Sequence, residues 1–175
     1  MPTQRTLAAA AIAATILLSA WRINPVNVSP TVPHSPTAFA PDACTLLTDA
    51  DVTTALEVTT LPGKHVPPSS TLGCMWASDA NLGAARRVTL SYSSVTAFDN
   101  AKSHPNTFFT VVPVSGVGDD AFYEVFKSDS PYLVVKQGTT VFTVRVLNGL
   151  KLKAFGLDQE KAKELVLGQA AVGRV

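Results

Sequence analysis

Charge is scarce in this sequence. Asp, Glu, Lys and Arg make up 15% of its 175 residues, and the formal net charge is +1. A nucleic-acid surface needs a basic excess, and there is none. Arg86-Arg87 is only a pair, and it reads as the solvated start of a strand. No hydrophobic run reaches the length of a permanent membrane span, about 20 apolar residues. The three histidines, His34, His65 and His104, fall in three separate segments. No G-x-S-x-G, H-E-x-x-H or Walker loop occurs, and the two cysteines are not spaced C-x-x-C. Ser115 is followed by a strand pattern, so it lacks the strand-to-helix setting of a nucleophile elbow. On these grounds no catalytic residue, metal ligand or cofactor is assigned, and the chain reads as a non-enzyme.

What the sequence does have is apolar content, 46% of residues, enough for a real core. The N-terminus is the least charged part. Met1 to Ala20 reads as a secretory leader, with Arg5 as its positive start and Leu7 to Leu18 as its apolar run. Leu17-Leu18-Ser19-Ala20 resembles a lipobox, but Trp21 stands where the lipid-bearing cysteine belongs. Two readings of residues 1–20 stay open: a cleaved signal peptide, or an uncleaved anchor tethering the protein to a membrane. Residues 21–41 read as an extended linker, because Pro25, Pro30, Pro33, Pro36 and Pro41 suppress helices and ladders. Residues 42–175 are then a single domain. Its location would be outside the cytoplasm, free or held at the outer face of the membrane.

The domain is organised around Val114 to Val146, read as a three-stranded antiparallel meander. Gly116 and Gly118 mark a turn, and Ala121 to Phe126 is apolar on both faces except at Glu124. Lys127 to Pro131 is a loop, Tyr132 to Val135 a short strand, and Gln137-Gly138 a turn. Val141 to Val146 alternates, with Phe142, Val144 and Val146 on one face. Asp119 and Asp120 could suggest a cation site, but aspartates in turns commonly accept backbone N–H groups, and no third carboxylate is near.

Ahead of the meander, Thr48 caps a helix in which Val52, Ala55 and Leu56 share a face. Leu47 is placed to staple onto Val52. From Glu57 to Gly73 the sequence is proline-rich and reads as a long loop carrying Lys64 and His65. Strands are expected from Cys74, over Arg87 to Ser93, and over Phe108 to Val112. A short helix is expected over Val95 to Lys102, capped by Ser93 or Ser94. A last helix should run from a cap at Asp158 to Ala171, with Ala162, Leu165, Val166 and Gln169 inward and Lys161, Lys163 and Glu164 outward. The sum is an α+β fold: an antiparallel sheet of about five to six strands with helices on one side and one disulfide.

Cys44 and Cys74 are the only cysteines. In a chain with a leader, an oxidising compartment makes a Cys44–Cys74 disulfide the default. It would tie the first helix to the first strand across the proline-rich loop.

The order Cys44-x-Leu46-Leu47-Thr48-x-x-Asp51-Val52, Cys74-x-Trp76 and Gly116-Val117-Gly118-Asp119-x-Ala121-Phe122 resembles secreted bacterial domains of unknown function. Many of these are lipoproteins, best known from actinobacteria. The resemblance spans Cys44 to Val146. It implies a disulfide-linked α+β fold similar to the PsbP-like sandwich, and no catalytic residues. Trp21 departs from the lipoprotein pattern.

Functionally, the chain reads as a non-catalytic secreted or envelope-tethered domain. Its partner would be a small molecule, a lipid or an envelope protein, and not nucleic acid. A structural or inhibitory module presenting an edge strand is the alternative, ahead of an enzyme with an unrecognised site. Trp76, Tyr92, Phe98, Phe122, Tyr123, Phe126 and Phe142 could line a groove, although most should be core.

Overall fold

The computed structural model describes residues 41–104, 107–127, 130–149 and 154–175. The expected leader (1–20), and the expected linker (21–41) up to residue 40, lie outside these residues. The strands are β1 (Lys64–His65), β2 (Gly73–Ala77), β3 (Arg87–Ser93), β4 (Phe109–Val114), β5 (Asp120–Phe126), β6 (Tyr132–Gln137) and β7 (Thr140–Leu147). The helices are α1 (Asp49–Leu56), α2 (Val95–Ser103) and α3 (Leu157–Val172), with a 3-10 turn at Ala43–Thr45 before α1. All strand pairs are antiparallel, in the order β1-β2-β3-β7-β6-β5-β4.

The α+β architecture and the disulfide are as expected, but among the described residues the sheet has seven strands, not five to six. The extra strand is β1, inside the segment read as loop. Two residues carry no detectable alternation. Their pairing, Lys64 opposite Met75 and His65 opposite Cys74, comes from tertiary contact. The expected meander is β5–β6–β7, and β4 extends it to four strands. A second meander, β1–β2–β3, joins it where β3 pairs with β7.

Glycine is required at one turn of the meander. Gly118 has φ +61°, and a Cβ there would lie 2.6 Å from the Lys136 carbonyl oxygen. Asp119 does bond backbone, as its turn position suggested. Its partner is the next hairpin: Gly138 N donates to its carboxylate at 2.6 Å, as does Gln137 Nε2 at 3.3 Å. Asp120 pairs with Lys102 at 2.5 Å.

α1 opens with a capping box: Thr48 Oγ1 accepts from Asp51 N at 3.1 Å, and the Asp51 carboxylate accepts from Thr48 N at 2.8 Å. Leu47, Val52, Ala55 and Leu56 are buried in the main core with Trp76, Leu90, Phe142 and Val144. α2, capped by Ser94, packs Phe98 against Phe122 with ring centroids 4.9 Å apart. Such a pair adds about 0.5–1.5 kcal/mol beyond the area it buries.

The helices do not all lie on one side, contrary to expectation. Phe122 and Val134 alternate with Ala121, Tyr123, Leu133 and Val135, so they face the other way. With Phe98 and Val141 they form a second cluster, under α2, while α1 and α3 join the main core. The central strands are apolar on both faces, and each face needs a cover.

α3 departs furthest from the sequence reading. It begins at Leu157 behind Gly156, not at a cap on Asp158. Its buried residues are Glu160, Glu164, Leu167, Gly168 and Ala171, whereas Ala162, Val166 and Gln169 are exposed and Leu165 is half-buried. The spacing 160, 164, 167, 168, 171 is itself one helical face. Gly168 permits a close approach: a Cβ there would be 2.7 Å from Leu133 Cδ2. Close packing against the sheet thus selects the face with small residues rather than the one that is apolar by composition.

Candidate functional site

Turning α3 in this way leaves an apolar groove between α1 and α3. One part, about 350 Å³, is lined by Thr54 and Ala55 of α1 and by Gln159, Ala162, Lys163 and Val166 of α3, with Glu57 at its rim. A second part, about 210 Å³, is lined by Ala50, Asp51, Thr54, Val166, Leu167 and Ala170. Thr54 and Val166 line both parts. Val166 is 58% exposed.

Each part is flanked by an ion pair. At one, Lys163 Nζ donates to Glu57 at 2.6 Å and to the Ala55 carbonyl at 2.7 Å, satisfying a carbonyl of the last turn of α1. The hydrogen bond and charge of Lys163 hold the Glu57 carboxyl below its usual range. Two cations lie over the Phe155 ring, the Lys163 ammonium at 4.4 Å and the Arg86 guanidinium at 4.1 Å from its centroid. Arg86 also donates to the Leu56 carbonyl at 3.0 Å, so this arginine docks the end of α1 rather than starting a solvated strand. At the other, Arg174 pairs with Asp51 at 2.9 Å and donates to the Leu46 carbonyl at 2.9 Å.

Beneath α3 lies a pair of buried carboxylic groups. The paired part of β6 ends with Leu133 opposite Val144, so the Val146 N–H falls beyond the last β6 rung. Glu164 Oε1 accepts that N–H at 2.9 Å. Glu160, one turn earlier, accepts from Asn148 Nδ2, and Asn148 Oδ1 accepts from Phe155 N at 2.9 Å. Glu164 is fully buried, and its Oε2 has no hydrogen-bond partner among the described residues. Burial pushes its carboxyl up to about 9, against the opposing bond from Val146 and with further help from Glu160. At neutral pH it is therefore an uncharged acid. Tyr123 donates to the Lys161 carbonyl at 2.5 Å, and its phenol is raised by burial and by Glu164. Glu164 lines neither part of the groove, so its proton has no route there to a bound molecule.

A third arrangement surrounds the cysteines. Cys44 and Cys74 are bonded, with Cα atoms 5.0 Å apart. His65 Nε2 lies 2.9 Å from both carboxylate oxygens of Asp42, and Asp42 Oδ1 accepts from Cys44 N at 2.8 Å. The backbone bond from Cys44, and then His65, lowers the Asp42 carboxyl. The Tyr92 phenol is raised to about 12, by burial first and then by the charge of Asp42. A disulfide is what an oxidising, exported location permits. No helix among the described residues is long and apolar enough to cross a membrane.

Other residues singled out from the sequence have plain roles. His65, read as part of the long loop, belongs to β1 and pairs with Asp42. His104 is the C-cap of α2, and His34 lies outside the described residues. Ser115 is exposed between β4 and β5. Trp76, Phe98, Phe122, Tyr123 and Phe142 are buried, while Tyr92 and Phe126 are half-buried, and none of them lines the groove. The sequence reading missed Glu160 and Glu164 because it followed apolar composition. Gly168 and Ala171, small residues in register with them, were the signal for the true face. It missed the Asp42–His65 pair because the two are 23 residues apart and joined only through β1.

No family model matches the chain, and comparison with curated proteins and with solved structures finds no match either.

Proposed function

We propose that this protein is a non-catalytic, exported or envelope-tethered domain that binds an apolar ligand in the α1–α3 groove. The chemical class that suits it is a single acyl chain. The observation that carries the reading is the outward turn of α3, which leaves Ala162 and Val166 over a cleft of about 350 Å³. That volume is in the range of small-molecule sites, which start at about 300 Å³. The ion pairs offer polar anchors for a headgroup, and Ala55, Ala162 and Val166 offer apolar surface for a chain. The leader-like start, the proline-rich segment and the resemblance to secreted bacterial domains support export. The absence of a catalytic motif supports a binding role.

Titration of the full chain with a fluorescent fatty acid tests this. The wild type should bind with saturable enhancement. Val166→Asp should abolish binding without changing the melting temperature, since Val166 is 58% exposed. Equal binding by that variant would overturn the assignment. A second reading, a protein-interaction module, is favoured by β4, which ends the sheet with Thr110 and Val112 exposed. Pro113 shortens the available edge. No probe binding by the wild type would remove the groove reading and leave this one.

A further inference from the structure

The cysteines read as a staple, yet their surroundings carry more than a staple needs. Cys74 lies directly opposite His65 in the β1–β2 register, so their side chains share a face. Asp42, Cys44 and His65 each offer one donor atom, and these three atoms lie within 4.8 Å of one another. Cys74 Sγ lies outside that group of three, but it is bonded to Cys44 Sγ and is the fourth donor that breaking the bond would release. Two sulfurs, an imidazole nitrogen and a carboxylate oxygen are a zinc ligand set by type and number. An approach path exists, because Asp42, Cys44, Lys64 and His65 line an open cleft of about 420 Å³. Asp42 is already oriented by the Cys44 backbone N–H, the kind of outer bond that fixes a ligand. While the disulfide stands, neither sulfur is a thiolate, and only thiolate sulfur ligates zinc well.

We propose that, once the Cys44–Cys74 disulfide is reduced, Cys44, Cys74, His65 and Asp42 hold one zinc ion, so that metal and disulfide are alternative clamps on the same junction. The reduction breaks one S–S bond. A dithiol reductant supplies two electrons and two protons and becomes a disulfide itself, leaving two protein thiols. Zinc then replaces the two thiol protons, which pass to solvent. A tetrahedral ion with Zn–S near 2.3 Å sets the sulfurs about 3.8 Å apart. Rotation of the released side chains supplies that separation across Cα atoms 5.0 Å apart. Either clamp joins the 3-10 turn before α1 to β2, and His65 adds β1 to the metal-held form. The chain could thus keep its N-terminal junction closed before oxidation, and exchange metal for a covalent bond afterwards.

The test uses the full chain, oxidised or reduced with a water-soluble phosphine, and titrated with Zn2+ or with Co2+ as a spectroscopic probe. The reduced chain should bind one ion. Its Co2+ spectrum should show sulfur-to-metal charge transfer and the intense visible bands of a tetrahedral site. Far-UV circular dichroism should retain its strand signal, and the oxidised chain should bind nothing. His65→Ala and Asp42→Asn should each weaken Zn2+ binding by at least about 10-fold, the smallest loss typical even of an outer-shell partner. Three results would each overturn the proposal. These are no binding by the reduced chain, unchanged affinity in both variants, or binding only with loss of the strand signal, which is chelation by an unfolded chain.

Discussion

Glu164 is one residue whose behaviour can be forecast from its surroundings. It is packed against the Val146 N–H, with Glu160, Arg145, Lys161 and Tyr123 around it, and it holds its proton up to about pH 9. An unfolded glutamate loses that proton near pH 4.5. Between these values the folded state binds more protons than the unfolded one, so stability falls as pH rises, and levels off above the folded value. The slope from this one group reaches at most about 1.4 kcal/mol per pH unit. Glu164→Gln keeps the shape and the bond to Val146 and removes the titration. Denaturant unfolding at pH 6 and 8.5 should show wild type losing stability relative to the variant as pH rises. Parallel behaviour of the two would show that Glu164 is ionised in the fold. The same residue explains one failure of sequence reading. A glutamate among lysines is placed on the wet face by composition, and only the missing β6 rung at Val146 gives it a reason to be inside.

α3 is the element on which the proposed function depends, and its orientation is open to direct test. Leu167 is 1% exposed and Val166 is 58% exposed, although they are neighbours in sequence. Leu167→Ala should cost about 2–5 kcal/mol, as for other buried leucines. Val166→Asp should stay within about 0.5 kcal/mol of wild type, as surface changes do. The reverse order in denaturant midpoints would restore the inward face of Ala162, Leu165, Val166 and Gln169, and with it close the groove. α1 and α2 were legible in sequence because their caps, Thr48 and Ser94, have side-chain oxygens in the right place. α3 has no such cap. Gly156 stands there, and Gln159 reaches back to its N–H at 3.1 Å, so Asp158 is a first-turn residue rather than the boundary.

For the molecule as a whole, the disulfide closes a separation of 30 residues that contains α1 and the proline-rich segment. The chain-entropy relation gives roughly 3–4 kcal/mol for a loop of this size. Replacing both cysteines with serine should lower unfolding free energy by about that much, read from denaturant midpoints at equal slope. A change under about 1 kcal/mol would mean that the 3-10 turn and β1 hold this junction without the bond. They have the means: Ala43 N donates to the Thr71 carbonyl at 2.8 Å, and Asp42 holds His65. The two meanders meet at β3 and β7 through seven register pairs, so the bond matters for one end of the sheet rather than its centre.

The local devices were all legible from the amino acids: strand alternation in β3 and β7, a two-sided apolar β5, the capped starts of α1 and α2, and the glycine turn at Gly118. Each is decided by contacts a few residues apart, or by backbone limits that a residue type carries with it. The cysteine pairing was legible too, since only one pair exists. Three features were decided by tertiary contact. β1 exists because β2 offers it an edge. α2 lies on the far face because Phe122 and Val134 need a cover there. α3 turns Glu164 inward because Gly168 lets it approach Leu133 and because Val146 needs an acceptor. In each case a partner distant in the chain supplies energy that outweighs the local preference, and no window of sequence contains both sides of that contact.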